Sequence, residues 1–217
     1  MQLTWYGHAS FLIEARGLRI ITDPFSPESG YDPIDESADI VTLSQDDDRF
    51  HSHVASIKGS PTLVNFRTLA PQGIKTHGIH FQAVPVWEDV NRSKNPNGMF
   101  YFSVDGIRLA HMGDLGHPLT EAEIEPLRGV DVLFALAGGN HTIALDALVD
   151  AIGRIRPRLV IPMHYQVGKV KLDIMPLSEL LALIPTMPVT WHDSPTIDLF
   201  ADKLPEPTQV LVLKHAR

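Results

Sequence analysis

A mixed α/β fold is predicted by two features of the hydrophobic pattern: short apolar runs broken by turn residues through the first half, and a change to helical spacing in the second. The early runs, Leu3 to Tyr6, Ser10 to Glu14, Leu18 to Thr22, Ile40 to Leu43 and Thr62 to Val64, are strand-length, with Gly17, Pro24 and Gly30 as punctuation. His77 to Val86 alternates as a further strand. Met99 to Val104 and Ile107 to His111 flank Asp105-Gly106, a pair suited to a two-residue hairpin turn. Thr120, three residues before Glu123, forms a capping-box pattern that predicts a helix over 120–127, leading into a strand from Val132 to Ala137. Leu145, Leu148, Val149, Ile152 and Ile155 recur at helical intervals before the strand Leu159 to Pro162. A third helix is expected over 177–184. The Pro-rich stretch 204–207 reads as a surface turn before a last strand over 210–214.

Composition narrows the function classes. With 217 residues and 44% hydrophobic content the chain can bury a substantial core. A formal charge of −8 with no run of Lys or Arg argues against a nucleic-acid surface. There are no cysteines, which removes disulfides and thiolate ligands and leaves the redox compartment unreadable. No apolar run approaches the ~20 residues that span a bilayer, and no leader pattern precedes Leu3-Thr4-Trp5-Tyr6. A cytoplasmic protein with no membrane or nucleic-acid partner is the expectation; oligomeric state is not legible.

Five landmarks occur in order: Thr4-Trp5-Tyr6-Gly7-His8-Ala9-Ser10-Phe11, Thr22-Asp23-Pro24-Phe25, Ala38-Asp39-Ile40-Val41-Thr42-Leu43-Ser44, His111-Met112-Gly113-Asp114-Leu115-Gly116-His117, and Ile161-Pro162-Met163-His164-Tyr165. Together they resemble the metallo-β-lactamase superfamily, in the bacterial branch of Zn-dependent hydrolases similar to the ascorbate-6-phosphate lactonases, over nearly the whole chain. That resemblance implies a four-layer αββα sandwich of α/β (α+β) class: one domain over 1–217, built of two similar halves, roughly 1–104 and 105–217, with metals at loops that follow strands.

The family's metal loop reads His-x-His-x-Asp-His, and the matching positions here are Gln45, Asp47, Arg49 and Phe50. A fifth family ligand aligns with Glu88, while Asp114 and His164 stand as the family has them. Phenylalanine has no lone pair for a metal, and a guanidinium is permanently cationic, so a binuclear zinc centre is not expected. Gln45, Asp47, Glu88 and Asp114 offer oxygen atoms, a set suited to Mg, Ca or Mn better than Zn. With His164 they form the candidate set for a single divalent ion. Asp47, Arg49, Asp114, His164 and His8 are the candidates for chemistry.

Without metal, Asp47, Glu88 and Asp114 against Arg49 leave two net negative charges, and like charges raise one another's pKa. Three arrangements resolve this: an Arg49-centred network without metal, one oxygen-ligated ion, or a rearranged site using His51 or His53. The first implies a non-catalytic protein that binds a small anion. The second implies hydrolysis of a small ester, lactone or phosphate-bearing substrate, with His164 or His8 carrying protons. Metal-free acid–base catalysis by the carboxylates is a third reading. Arg92 and Lys94, matching a basic stretch beside the cleft in relatives, are candidates for recognising an anionic small molecule. His111 and His117 bracket Asp114 as candidate supports, whereas His77, His80, His192 and His215 read as ordinary structural histidines.

Overall fold

The computed structural model describes residues 1–47 and 49–217; Asp48, last of the acidic run 46–48, lies outside the described residues. Fourteen strands are described: β1 (Gln2–Gly7), β2 (Ser10–Ala15), β3 (Leu18–Thr22), β4 (Ile40–Leu43), β5 (Thr62–Asn65), β6 (Ile74–Thr76), β7 (Ile79–Trp87), β8 (Pro96–Val104), β9 (Ile107–His111), β10 (Val132–Leu136), β11 (Leu159–Met163), β12 (Val189–Trp191), β13 (Thr196–Asp198) and β14 (Gln209–Val212). The helices are α1 (Glu121–Ile124), α2 (Leu145–Ile155) and α3 (Leu177–Leu183). No helix of the described residues is long and apolar enough to cross a membrane.

The strands form two sheets, a six-stranded one in the order β13-β1-β2-β3-β4-β5 and an eight-stranded one in the order β12-β14-β11-β10-β9-β8-β7-β6. The chain passes from the first sheet to the second between Asn65 and Ile74, and β13 returns late in the chain to the first sheet. Every residue of β10 and β11 is buried, as parallel strands covered on both faces require.

Period-two alternation explains how the six-stranded sheet serves two cores. Trp5, Phe11, Ile13, Ile20 and Ile40 face the other sheet and join its Phe100, Leu109 and Phe134. Phe11 and Phe134 meet with ring centroids 4.3 Å apart. Their neighbours Tyr6, Leu12, Ile21 and Val41 enter a smaller core with Phe25, Tyr31, Ile34, Ile57, Val170 and Ile174. That outer layer is made of loops and short 3-10 turns. The predicted helix over 120–127 is one α-turn followed by a 3-10 turn at Glu125–Leu127, because Pro126 interrupts the α-helical hydrogen bonding. Its capping box is present, with Thr120 and Glu123 bonded reciprocally.

Candidate metal centre

Each landmark ends a strand and turns sharply at one edge of the sandwich. His8 follows β1, Asp23 follows β3, Gln45 and His51 lie beyond β4, Glu88 follows β7, Asp114 lies beyond β9, and His164 follows β11. His8, Asp23 and His164 adopt φ of 49°, 37° and 54°, the left-handed region that side chains with a Cβ avoid. Gly113 (φ 61°) shows why the turn before Asp114 needs glycine: an added Cβ would lie 2.5 Å from Asn97 Oδ1 and 2.7 Å from Ser44 Cβ. That close approach lets Asn97 accept from the Asp114 backbone N–H at 3.1 Å.

Three imidazoles converge here. One nitrogen from each of His8, His51 and His164 lies within 4.8 Å of the others, and all three residues are buried. The His8 and His164 rings are 3.9 Å apart by centroid. Asp114 joins them: its Oδ2 accepts from Gln45 Nε2 at 2.8 Å and lies 3.5 Å from His51 Nε2, and its Oδ1 is 3.6 Å from His164 Nε2. Both ring nitrogens of His8, Nε2 of His51, Nδ1 of His164 and Oδ1 of Asp114 are buried without a hydrogen-bond partner. Buried polar atoms left unpaired cost about 1–3 kcal/mol each, and here the side chains that carry them converge. This donor set fits a divalent cation.

Behind His51 lies Asp23, fully buried, whose Oδ2 accepts from His51 Nδ1 at 3.0 Å. Its other partners are the backbone N–H of Ser44, at 2.8 Å, and the Ser44 hydroxyl. A carboxylate on one imidazole nitrogen fixes the tautomer and directs the other nitrogen inward, as in carboxylate–histidine–metal arrangements. Replacing Asp23 by Asn should lower metal affinity by about 10- to 100-fold while leaving the three histidines in place; isothermal titration with zinc checks this, and unchanged affinity would remove Asp23 from the site.

The electrostatics divide the histidines. Burial works against charge on His51, but Asp114, the hydrogen bond to Asp23 and the charge of Asp47 outweigh it and raise its pKa to about 9. Burial dominates at His164, lowered to about 4, and at His8, held well below the usual range with His164 and His51 adding repulsion. Glu88 is pushed up, by burial first and then by Asp114.

The structure thus gathers His8, Gln45, Asp114 and His164, with Asp47 and Glu88 close enough to act electrostatically on the cluster. Asp47 and Glu88 line a neighbouring cavity of about 480 Å³ with Gln45, Asp46, Arg67, Asn95 and Pro96. Arg49 stands differently from an Arg49–carboxylate network: its Nη2 donates to the Glu28 carbonyl at 3.2 Å and its guanidinium lies over the Phe50 ring. Phe50 is nearly buried, 5.0 Å by centroid from His8. The donor set, expected to be oxygen-rich, is nitrogen-rich through His51. Position-by-position matching had set Phe50 against the loop's last histidine. The buried carboxylate of Asp23 was the overlooked signal, because it requires a donor and His51 is a histidine of the same loop.

Arg92 and several of the remaining histidines have structural partners, and Lys94 gives its backbone N–H to Asp89. Arg92 donates to Glu123 at 2.7 and 3.2 Å and to the Pro118 carbonyl. His111 donates from Nε2 to Ala9 O at 2.7 Å and accepts the Gly113 N–H, so it holds the turn next to His8. His117 accepts the Trp87 N–H, just before Glu88. His80, His192 and His215 bond backbone carbonyls.

The family model of the beta-lactamase superfamily domain matches residues 2–164. The chain belongs to the beta-lactamase superfamily. A UPF0173 metal-dependent hydrolase from Carboxydothermus hydrogenoformans is 32% identical over 197 residues, covering 76% of this chain and 84% of its own. The UPF0173 protein of Pyrococcus abyssi is 28% identical over 186 residues, with 76% and 83% covered. Among solved structures, one from Thermotoga maritima, described as a Zn-dependent hydrolase of the metallo-beta-lactamase superfamily, superposes with a TM-score of 0.78 at 29% identity, covering 98% of this chain and 97% of that one. An isothiocyanate hydrolase from Delia radicum gut bacteria, 11% identical with a TM-score of 0.66 and 93% and 100% covered, shares the superfamily fold alone.

Proposed function

We propose that the chain is a hydrolase working with one divalent ion, held by His8, His51, His164 and Asp114, on a small ester, lactone or phosphate-bearing substrate. The observation that carries this is the convergence of three buried histidines, each with an unpartnered ring nitrogen, beside the unpartnered Oδ1 of Asp114. Three imidazoles with one carboxylate suit zinc, and leave Mg and Ca poorly served. Phe50 against the His8 ring, and Arg49 turned to Glu28, support one ion rather than two.

Bound there, a divalent ion supplies Lewis acidity to a carbonyl or phosphoryl oxygen and acidifies water. The residues do the rest. Asp23 keeps the proton of His51 on Nδ1, and Gln45 pins Oδ2 of Asp114 while leaving Oδ1 directed at the cluster. Phe50 excludes water from one flank. Glu88, half-buried on the wall of the neighbouring cavity, has its pKa pushed up by burial first and then by Asp114.

A non-catalytic reading rests on His51 itself. An imidazolium with a pKa near 9 between Asp23 and Asp114 offsets one of their two negative charges without metal. Elemental analysis separates the two readings. After saturation with zinc and dialysis at pH 8, one equivalent per chain is expected; a value near zero favours the non-catalytic protein, and two equivalents would overturn the single-ion centre.

A further inference from the structure

We infer that the substrate of this site carries a positively charged group, an amine, guanidinium or quaternary ammonium, next to the bond that is cleaved. The inference rests on the hydrolase reading above and adds the charge class. The cavity beside the cluster is lined by Asp46, Asp47 and Glu88 against Arg67, a net of two negative charges. The two charges of a divalent ion are already matched by Asp23 and Asp114, so they do not offset this wall.

The cavity borders the cluster at Gln45, which lines it and also binds Asp114. Asp114 is 6% exposed, and its Oδ1 is unpartnered. A second cavity of about 510 Å³ shares Asp47 and adds Glu28 and Arg49, which cancel, together with His53. Three arginines near the site already have partners, Arg67 within the cavity wall itself and Arg49 and Arg92 outside it. Arg67 lies 3.5 Å from Asp46, Arg49 bonds the Glu28 carbonyl, and Arg92 is bidentate on Glu123. The carboxylates of Asp47, which accepts the Arg49 backbone N–H, and of Glu88, hydrogen-bonded by Asn95, line the cavity that a substrate would enter. At separations of 4–6 Å, partly screened by solvent, a unit charge on a ligand senses such a wall strongly enough to sort cationic from neutral isosteres.

The test compares two isosteric acetate esters on the zinc-loaded full chain, one ending in a trimethylammonium group and the other in a tert-butyl group, by calorimetric binding and by hydrolysis. The cationic ester should bind about tenfold more tightly. That ratio should fall toward one in 0.5 M salt and in the Asp47→Asn, Glu88→Gln double variant, with circular dichroism reporting that the variant folds. A ratio of one or below, or a preference that survives the double variant, overturns the inference. The failures are separable. If zinc binds and both esters are cleaved equally, the charge class falls and the hydrolase stands. If zinc is not taken up, the hydrolase reading falls, and the binding ratio on the same protein still decides the charge class.

Discussion

Replacing His51 by alanine should lower zinc affinity by two to three orders of magnitude. A structural zinc site is worth roughly 10–16 kcal/mol, and dividing this over four ligands gives about 2.5–4 kcal/mol each. His51 is placed to contribute a full share because its Nδ1 is tied to Asp23 and its Nε2 is left without a partner. Arg49 is the informative control. Its guanidinium rests on the Glu28 carbonyl and the Phe50 ring, so Arg49→Ala should leave affinity within about threefold. Competition against a chromophoric chelator measures both variants. Retained affinity in the His51 variant, or an equal loss in the Arg49 variant, would show that the loop beyond β4 supplies the ion differently.

The second large effect concerns pH. A proton and a divalent ion compete for Nε2 of His51, whose pKa is raised to about 9 in the metal-free chain, whereas His164, at about 4, is already neutral. Zinc affinity should therefore rise about tenfold per pH unit from pH 6.5 to 9, roughly 300-fold in all, and then level off. The metal-free chain should behave in a complementary way. The His51 contribution to stability is complete below the unfolded value of about 6.5 and is lost as pH rises through about 9. The His164 contribution is complete above that same value and is lost as pH falls through about 4, and His8, lowered in the same direction, adds to the acid loss. Thermal unfolding without metal should peak near pH 6.5 and fall more steeply on the acid side. A pH-independent zinc affinity would show that His51 carries no proton for the ion to displace.

Much of the architecture was legible because strands and amphipathic helices write their burial into spacing. Ile40 to Leu43 and Ile107 to His111 occur where the pattern sets them, and Asp105-Gly106 turns with φ of 52° and 74°, as the dipeptide demands. The three-residue strands β6, β12 and β13 were not legible. They are too short to establish a period, and they exist because a neighbouring edge accepts them. The site was legible in outline, since Gln45, Asp114, His164 and His8 converge as strand-end loops should. Its donor chemistry was not. Whether His51 or Phe50 turns inward depends on backbone geometry in one loop, and a matched motif carries no information about that. The same limit applies to Arg49, whose side chain follows the carbonyl of Glu28 in a different loop.

The left-handed backbone at His8, Asp23 and His164 ties this centre to the tolerance of the fold. Each such residue costs about 1–3 kcal/mol, and glycine at any of the three would relieve the strain while erasing a side chain the cluster needs. Directed evolution of this scaffold for heat resistance alone would therefore dismantle these corners early, and variants that survive hotter conditions would tend to be those that have forfeited the histidine cluster.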